Sequence, residues 1–416
     1  MTRLGYKMTE IGEIPEEWKV SKISDVFDVL TGTTPSTKIS KYWEGGNIDW
    51  LTPKDLRSLG AGLSIPQSDR KITKEGVAES SLELLPAGSI VISTRAPVGY
   101  VGIATNECTF NQGCKGLLAK ENAIPLFHAY YLSHETEYLN SLSSGSTFKE
   151  LSKDALEKVP IVVPPNAEQQ KIAEILTTAD RKIELIDKEI QTAEKLKKGL
   201  MQTLLTRGIG HTKFKKTEIG EIPEEWELLP MNKLAQYING MAFKPSEWKE
   251  DGIPIVRIEN LNDLNAPFNY YGGQVDEKYI LKNEDILLSW SASLGVYLWN
   301  RGKAVLNQHI FKVIPRKDIS KYYLFWSLHR AIENLSRFTH GSTMKHFQKG
   351  ELERTKLALP HFPEQQKIAE ILTTADRKIE LLNRKKKQAE RLKKGLMQIL
   401  LTGQMRVKID PSKGEN

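Results

Sequence analysis

The eighteen residues EQQKIAEILTTADRKIEL run from Glu168 to Leu185 and recur unchanged from Glu364 to Leu381. Such a repeat decides whether a chain is one fold or two copies of one, so it constrains everything else. A second motif, TEIGEIPEEW, occupies Thr9–Trp18 and returns at Thr217–Trp226, an offset of 208 residues. The longer segment returns after 196 residues, as do Asn111-Gln112 at Asn307-Gln308 and Gly145-Ser146-Thr147 at Gly341-Ser342-Thr343. The first half therefore carries 12 extra residues between Trp18 and Asn111. The chain reads as a tandem duplication: an opening motif, a variable domain, a shared segment, then all three again.

The shared segments read as helices. Apolar residues fall at Ile172, Leu176, Ala179, Ile183, Ile186, Ile190 and Ala193, in alternating steps of four and three. That period is a coiled-coil seam, not a strand. The second copy gives Ile368, Leu372, Ala375, Ile379 and Leu382, then Lys386 where Ile190 stood, then Ala389 and Leu392. Leu200 with Leu204, and Leu396 with Leu400, extend the stripe. Pro164-Pro165 and Pro360 with Pro363 mark the starts, where proline costs no helical hydrogen bond, and Gly208 is a glycine stop for the first copy. The two rods are expected to pair as an antiparallel coiled coil. Lys386 can pair with an acid across the seam, reach solvent or mark fraying; a solvated basic face is the expected outcome.

Over 168–206 and 364–402 the copies differ at nine of 39 positions: 186–192, 195 and 203. Packing alone would require only the apolar stripe to be kept. Polar positions are kept too, which points to one surface shown twice to two copies of one partner; recent duplication is the alternative. The expected partner-binding residues are Glu168, Gln169, Gln170, Asp180 and Arg181, with Glu364, Gln365, Gln366, Asp376 and Arg377.

The regions between motif and helix mix short β-rich runs, such as GSIVISTRAPVGYVGIAT, with helical stretches, giving an α+β class. They diverge widely between the halves. Their polar loops suit the reading of base edges, with candidates Thr52, Lys54, Arg57 and Arg95 in the first domain and Arg257 and Asn260 in the second. Arg95 corresponds to Ser291. Thr147 and Glu150 have capping-box spacing, and Lys149 and Lys345 lie where a helix start could hold a DNA phosphate. Ordinary solvated surface is the competing reading of each.

Formal net charge is +7, with 39% hydrophobic and 27% charged residues, which suits a globular protein and permits a polyanionic partner. No apolar run reaches the roughly 18 residues of a membrane span, and the first residues hold no signal-peptide core, so a cytoplasmic protein is expected. Cys108 and Cys114 lack the neighbours of a zinc site. No G-x-x-x-x-G-K-[ST] loop is present, the one Pro-Pro has the wrong flanks for an amino-methyltransferase, and the Glu-Trp-Lys tripeptides lack a nuclease's upstream Pro-Asp. The chain is expected to bind and not to catalyse.

The layout resembles the specificity subunit of type I restriction–modification systems. Two variable domains, each followed by a helix opening PPNAEQQKIAEIL or PHFPEQQKIAEIL, and each preceded by IP-x-x-W (Ile14, Pro15, Trp18; Ile222, Pro223, Trp226), carry the resemblance over essentially the whole chain. It implies target recognition domains at 1–163 and 209–359, spacer helices at 164–208 and 360–403, and a tail at 404–416. Each domain would read one half of an asymmetric bipartite sequence in double-stranded DNA. The helices would set the gap and dock two modification (methyltransferase) subunits, with restriction/translocase subunits in the full complex. S-adenosylmethionine, ATP and Mg would belong to those partners, and no cofactor or metal to this chain. The alternatives are the specificity chain of a two-component restriction–methylation enzyme, a coiled-coil interaction scaffold without DNA role, and a solitary DNA-binding regulator.

Overall fold

A computed structural model describes residues 2–95, 97–121, 123–143, 150–291, 293–338 and 350–409. Four helices organise it: α1 (Pro125–His134), α2 (Asn166–Arg207), α3 (Lys321–Phe338) and α4 (Phe362–Leu401). The chain divides into two compact units, one of Met1–Glu189 with Leu382–Asn416, the other of Ile190–Leu381. Each unit holds the N-terminal half of one long helix beside the C-terminal half of the other.

Both units build the same frame from different residues. TEIGEIP forms a hairpin in each, Tyr6–Thr9 with Gly12–Pro15 and Phe214–Thr217 with Gly220–Pro223. Gly12 at φ +107° and Gly220 at φ +108° supply a backbone conformation that side-chain-bearing residues rarely adopt. Trp18 and Trp226 end the motif wholly buried. In the first unit Phe27–Thr31, Cys114–Ala119, Ile90–Ser93 and Val101–Ala104 follow one another across an antiparallel sheet. Ala235–Asn239, Ile310–Pro315, Asp285–Ser289 and Gly295–Trp299 repeat that order in the second. A second sheet also corresponds: Ile48–Leu51 runs parallel to Cys108–Phe110, and Ile253–Val256 parallel to Ala304–Leu306.

Each core joins sheet to helices. In the first, Phe27, Ile90, Phe127 and Leu132 pack with Ile172 and Leu176 of α2 and Leu400 of α4. In the second, Ile286, Leu288, Tyr323 and Leu328 pack with Leu204 of α2 and Ile368 and Leu372 of α4. The long helices stop at left-handed glycines, Gly208 at φ +64° as expected and Gly403 at φ +72°. Neither site admits a side chain, since a Cβ at Gly208 would strike the Glu364 carboxylate and one at Gly403 the ring of Pro15.

One core residue departs from the duplicated plan. His128 on α1 is fully buried against the Phe27 and Phe127 rings, where α3 has Leu324. Its ring nitrogens make no hydrogen bond. Burial pushes the imidazole down to about 3. The folded value lies below the ordinary 6.5 of an exposed histidine, so the unfolded chain binds the proton preferentially. The first unit should therefore lose stability as pH falls from 6.5 towards 3, by up to about 1.4 kcal/mol per pH unit. His128→Leu should flatten that dependence, which thermal melts at pH 7, 6 and 5 would check.

Candidate functional site

The repeated Glu-Gln pair opens each long helix and holds its unit together. Glu168, with no exposed surface, accepts the Trp18 indole N–H at 2.9 Å and two hydrogen bonds from Arg406, at 2.7 Å from Nε and 2.9 Å from Nη2. Arg406 also reaches Glu17 at 2.6 Å. In the second unit Glu364 accepts Trp226 Nε1 at 3.0 Å and the Ile209 amide at 2.9 Å, with His211 Nε2 at 3.0 Å. His211 follows the Gly208 stop by three residues, as Arg406 follows Gly403. The glutamines act alike. Gln169 donates to the Pro164 carbonyl at 2.8 Å and accepts the Ile124 amide at 3.0 Å; Gln365 donates to Pro360 at 2.9 Å and accepts Ser320 at 2.8 Å. Each glutamine thus fastens the end of a strand to the start of α1 or α3.

These contacts correct the expectation that every repeated polar residue faces a partner. Glu168, Gln169, Asp180 and Gln365 are buried, and the Glu364 side chain is only 16% exposed, because each satisfies groups inside its own unit. Gln170, Arg181, Gln366 and Arg377 are exposed, and Asp376 is half-buried. Four apolar side chains stand out beside them, in matching pairs: Leu185 with Leu381 and Leu196 with Leu392.

The seam itself is antiparallel, since Asp180 pairs with Lys393 and Asp187 with Lys386. Leu392, expected in the stripe, is 58% exposed; the step of four from Ala389 lands on Lys393 instead. Lys393 Nζ lies 2.5 Å from Asp180 and 5.6 Å from the Tyr130 ring centre, and Tyr130 donates to Asp180 at 2.5 Å. The second unit repeats the set 196 residues away: Lys197 pairs with Asp376 and lies over the Trp326 ring at 4.7 Å. Lys386 is not a solvated face; it pairs with Asp187 at 2.6 Å, and that hydrogen bond raises its pKa. Burial raises the Asp180 carboxyl against the pull of Lys393. Lys393→Ala would strand that carboxylate and should cost about 3 kcal/mol or more. Adding Asp180→Asn should recover most of the loss, as read by thermal melts.

The base-reading candidates scatter over two neighbourhoods. Thr52 caps the short helix Pro53–Arg57, donating to Asp55 at 2.7 Å, and Arg257 holds the same place before Ile258–Asn262. Asn260 is 1% exposed and braces that turn, accepting the Arg257 amide at 3.0 Å and donating to Pro267 at 3.1 Å. Its amide is spent on the backbone, which corrects its expected role against a base. Lys54 pairs with Asp69 on the open surface, Arg257 with Glu259, and Arg57 is exposed. Arg95 lies two residues past the strand Ile90–Ser93, paired with Glu150 at 3.0 Å. Lys149, Lys345 and Thr147 lie outside the described residues.

A frame missed in the sequence connects these places. Gly32 presses against the Asn111 carbonyl and Gly240 against that of Asn307, an approach no Cβ would allow. Asn111 Oδ1 accepts the Gly113 amide at 3.0 Å, and Asn307 Oδ1 the His309 amide at 3.3 Å. The repeated Asn-Gln was the available signal. Around this shared backbone the side chains differ: Thr34 meets Gln112 in one unit, while Trp290 donates to Asn239 at 3.2 Å in the other. Among the described residues no cluster of histidine, cysteine and carboxylate side chains could hold a metal ion, and no helix is long and apolar enough to cross a membrane.

Comparison with known proteins places this frame. The model of the type I restriction modification DNA specificity domain matches twice, at residues 15–195 and 223–391. The MjaIX type I restriction enzyme specificity subunit of Methanocaldococcus jannaschii is 31% identical, over 97% of this chain and 96% of its own length. The MjaVIII specificity subunit of the same organism is 30% identical over 95% and 94%. The S subunit of a type I restriction–modification system from M. genitalium shares the fold with a TM-score of 0.60 at 14% identity, over 96% of this chain and 99% of that one. With its two matched domains and near full-length relatives, the chain belongs to the family of type I restriction–modification DNA specificity subunits.

Proposed function

We propose that the chain is the sequence-recognition subunit of a type I restriction–modification complex acting on double-stranded DNA in the cytoplasm. Domain 1–163 reads one half of an asymmetric bipartite target and domain 209–359 the other. The helices at 164–208 and 360–403 set the gap and dock two adenine-N6 methyltransferase subunits. The observation that supports this most is the pairing of one backbone frame with two sets of side chains. Corresponding strands keep their order, yet the residues around Gly32 and Gly240 differ. Two readers of one design but different content suit a target whose halves differ.

The docking surface is the part of the repeat left over after internal packing: Gln170, Arg181, Gln366 and Arg377, with Leu185, Leu196, Leu381 and Leu392 beside them. Exposed leucines at matching places on both helices suit two copies of one partner. The chain carries no chemical step; S-adenosylmethionine, ATP and Mg are used by the partner subunits.

Co-expression with the methyltransferase subunit and mapping of methylated adenines in host DNA tests this reading. Methylation should appear at one asymmetric bipartite motif only when both chains are present. Exchange of residues 20–150 for another recognition domain should change one half of the motif and leave the other intact. Absence of any complex or methylation would move the coiled-coil scaffold to the front.

A further inference from the structure

Arg70 was not among the sequence candidates, and it is held unlike the arginines that were. Its guanidinium lies 4.0 Å from the ring centre of Trp43 and 4.8 Å from that of Trp50. Both rings are tied down. Trp43 Nε1 donates to the Ser36 carbonyl at 3.1 Å, and Trp50 Nε1 to that of Thr33 at 3.3 Å, so the loop after Gly32 is part of the platform. The backbone of Arg70 is fixed as well, its carbonyl accepting the Trp50 amide at 3.0 Å. The residue is nevertheless exposed.

What the guanidinium lacks is an acid. The aspartates adjacent in sequence to Arg70 and Trp50 are already taken, Asp69 by Lys54 at 2.7 Å and Asp49 by Lys71 at 3.2 Å. Among the described residues Arg70 makes no ion pair, whereas Arg257, stacked on Trp248 in the other domain, grips Glu259. A planar fork of donors, ordered before binding and left open, loses little entropy when it meets a flat pair of acceptors.

The same ladder position in the second domain carries Asn269, another side chain of a type that can match a base edge. Trp50 stands opposite Thr109 on the parallel strand, and Ile255 stands opposite Val305, so Trp50 and Ile255 correspond. Across the antiparallel neighbour, Trp50 faces Arg70 and Ile255 faces Asn269. The side chain of Asn269 makes no hydrogen bond among the described residues and is half-buried. Arginine matches the O6 and N7 acceptors of guanine, and asparagine the N6 and N7 edge of adenine. A phosphate contact carries no sequence information and would give no reason for the halves to differ here.

From this geometry we infer that Arg70, clamped on Trp43 and Trp50, reads a guanine edge in the half-site recognised by the first domain. The inference rests on the recognition function proposed above. The test is methylation-motif mapping with the complete complex carrying wild-type chain, Arg70→Ala or Arg70→Lys. Both variants should relax one guanine position of one half-site, with discrimination falling about 10- to 100-fold, and leave the other half-site unchanged. Lysine keeps the charge and the stem but not the fork, so its failure to discriminate separates base reading from packing. Full discrimination by Arg70→Lys would overturn the proposal. So would a uniform loss of affinity on all sequences with the salt slope reduced by about one, the mark of a phosphate contact. If the wild-type complex directs no methylation, the recognition function itself fails, a result distinct from either.

Discussion

A carboxylate largely withdrawn from water at the first turn of each long helix is the constraint on which both units depend. Glu168 and Glu364 sit where a helix N-terminus favours negative charge, and each takes an indole N–H from the tryptophan that ends the opening motif. Removed from water without partners, such a charge would cost several kcal/mol. The third set of donors comes from the residues just past a left-handed glycine, Arg406 in one unit and Ile209 with His211 in the other. One carboxylate therefore compels the hairpin, the head of one long helix and the foot of the other to meet. The neighbouring glutamine adds the recognition domain, through the amide that begins α1 or α3.

With that joint settled, the domains are free to vary. The sheets keep their strand order although Phe27–Thr31 and Ala235–Asn239 have no residue in common at matching places. Buried β-rich strands need side chains of suitable size and period more than particular residues. The positions that do not vary are those where only one residue type works, such as Gly32 and Gly240 against a carbonyl. The seam shows the same division. Lys197 and Lys393 hold heptad positions that leucine would normally take, and each is made tolerable by an aspartate and an aromatic face.

The helices, their period, their glycine stop and the duplication were legible in the sequence because period and identity are properties of a string. The fate of individual polar residues was not. Glu168 and Gln169 read as surface because charged and amide side chains usually are, and only the three-dimensional meeting with Trp18, Arg406 and Ile124 removes them from it. Leu392 was placed in the stripe for being apolar, yet strict heptad spacing selects its neighbour Lys393, whose partners lie more than two hundred residues away. Asn260 looked like a base reader because asparagine often is one, whereas here it completes a turn. Lys386 was read as a solvated basic face, and Asp187 pairs with it instead.

The division of each long helix between two units bears on how the chain is made. The first unit takes in residues 1–189 but also 382–409, and Glu168 waits for Arg406. A ribosome releases that arginine only after every residue of the second unit. Until then the first recognition domain has its sheets and α1 but lacks half its seam, and the apolar stripe of α2 lies open. Pairing across so long a stretch of sequence is slow to nucleate and exposes sticky surface meanwhile. The second unit meets no such delay, since its segments, 190–381, are contiguous. Nascent chains should thus mature in the reverse of their order of synthesis, the later half closing first and the earlier half last.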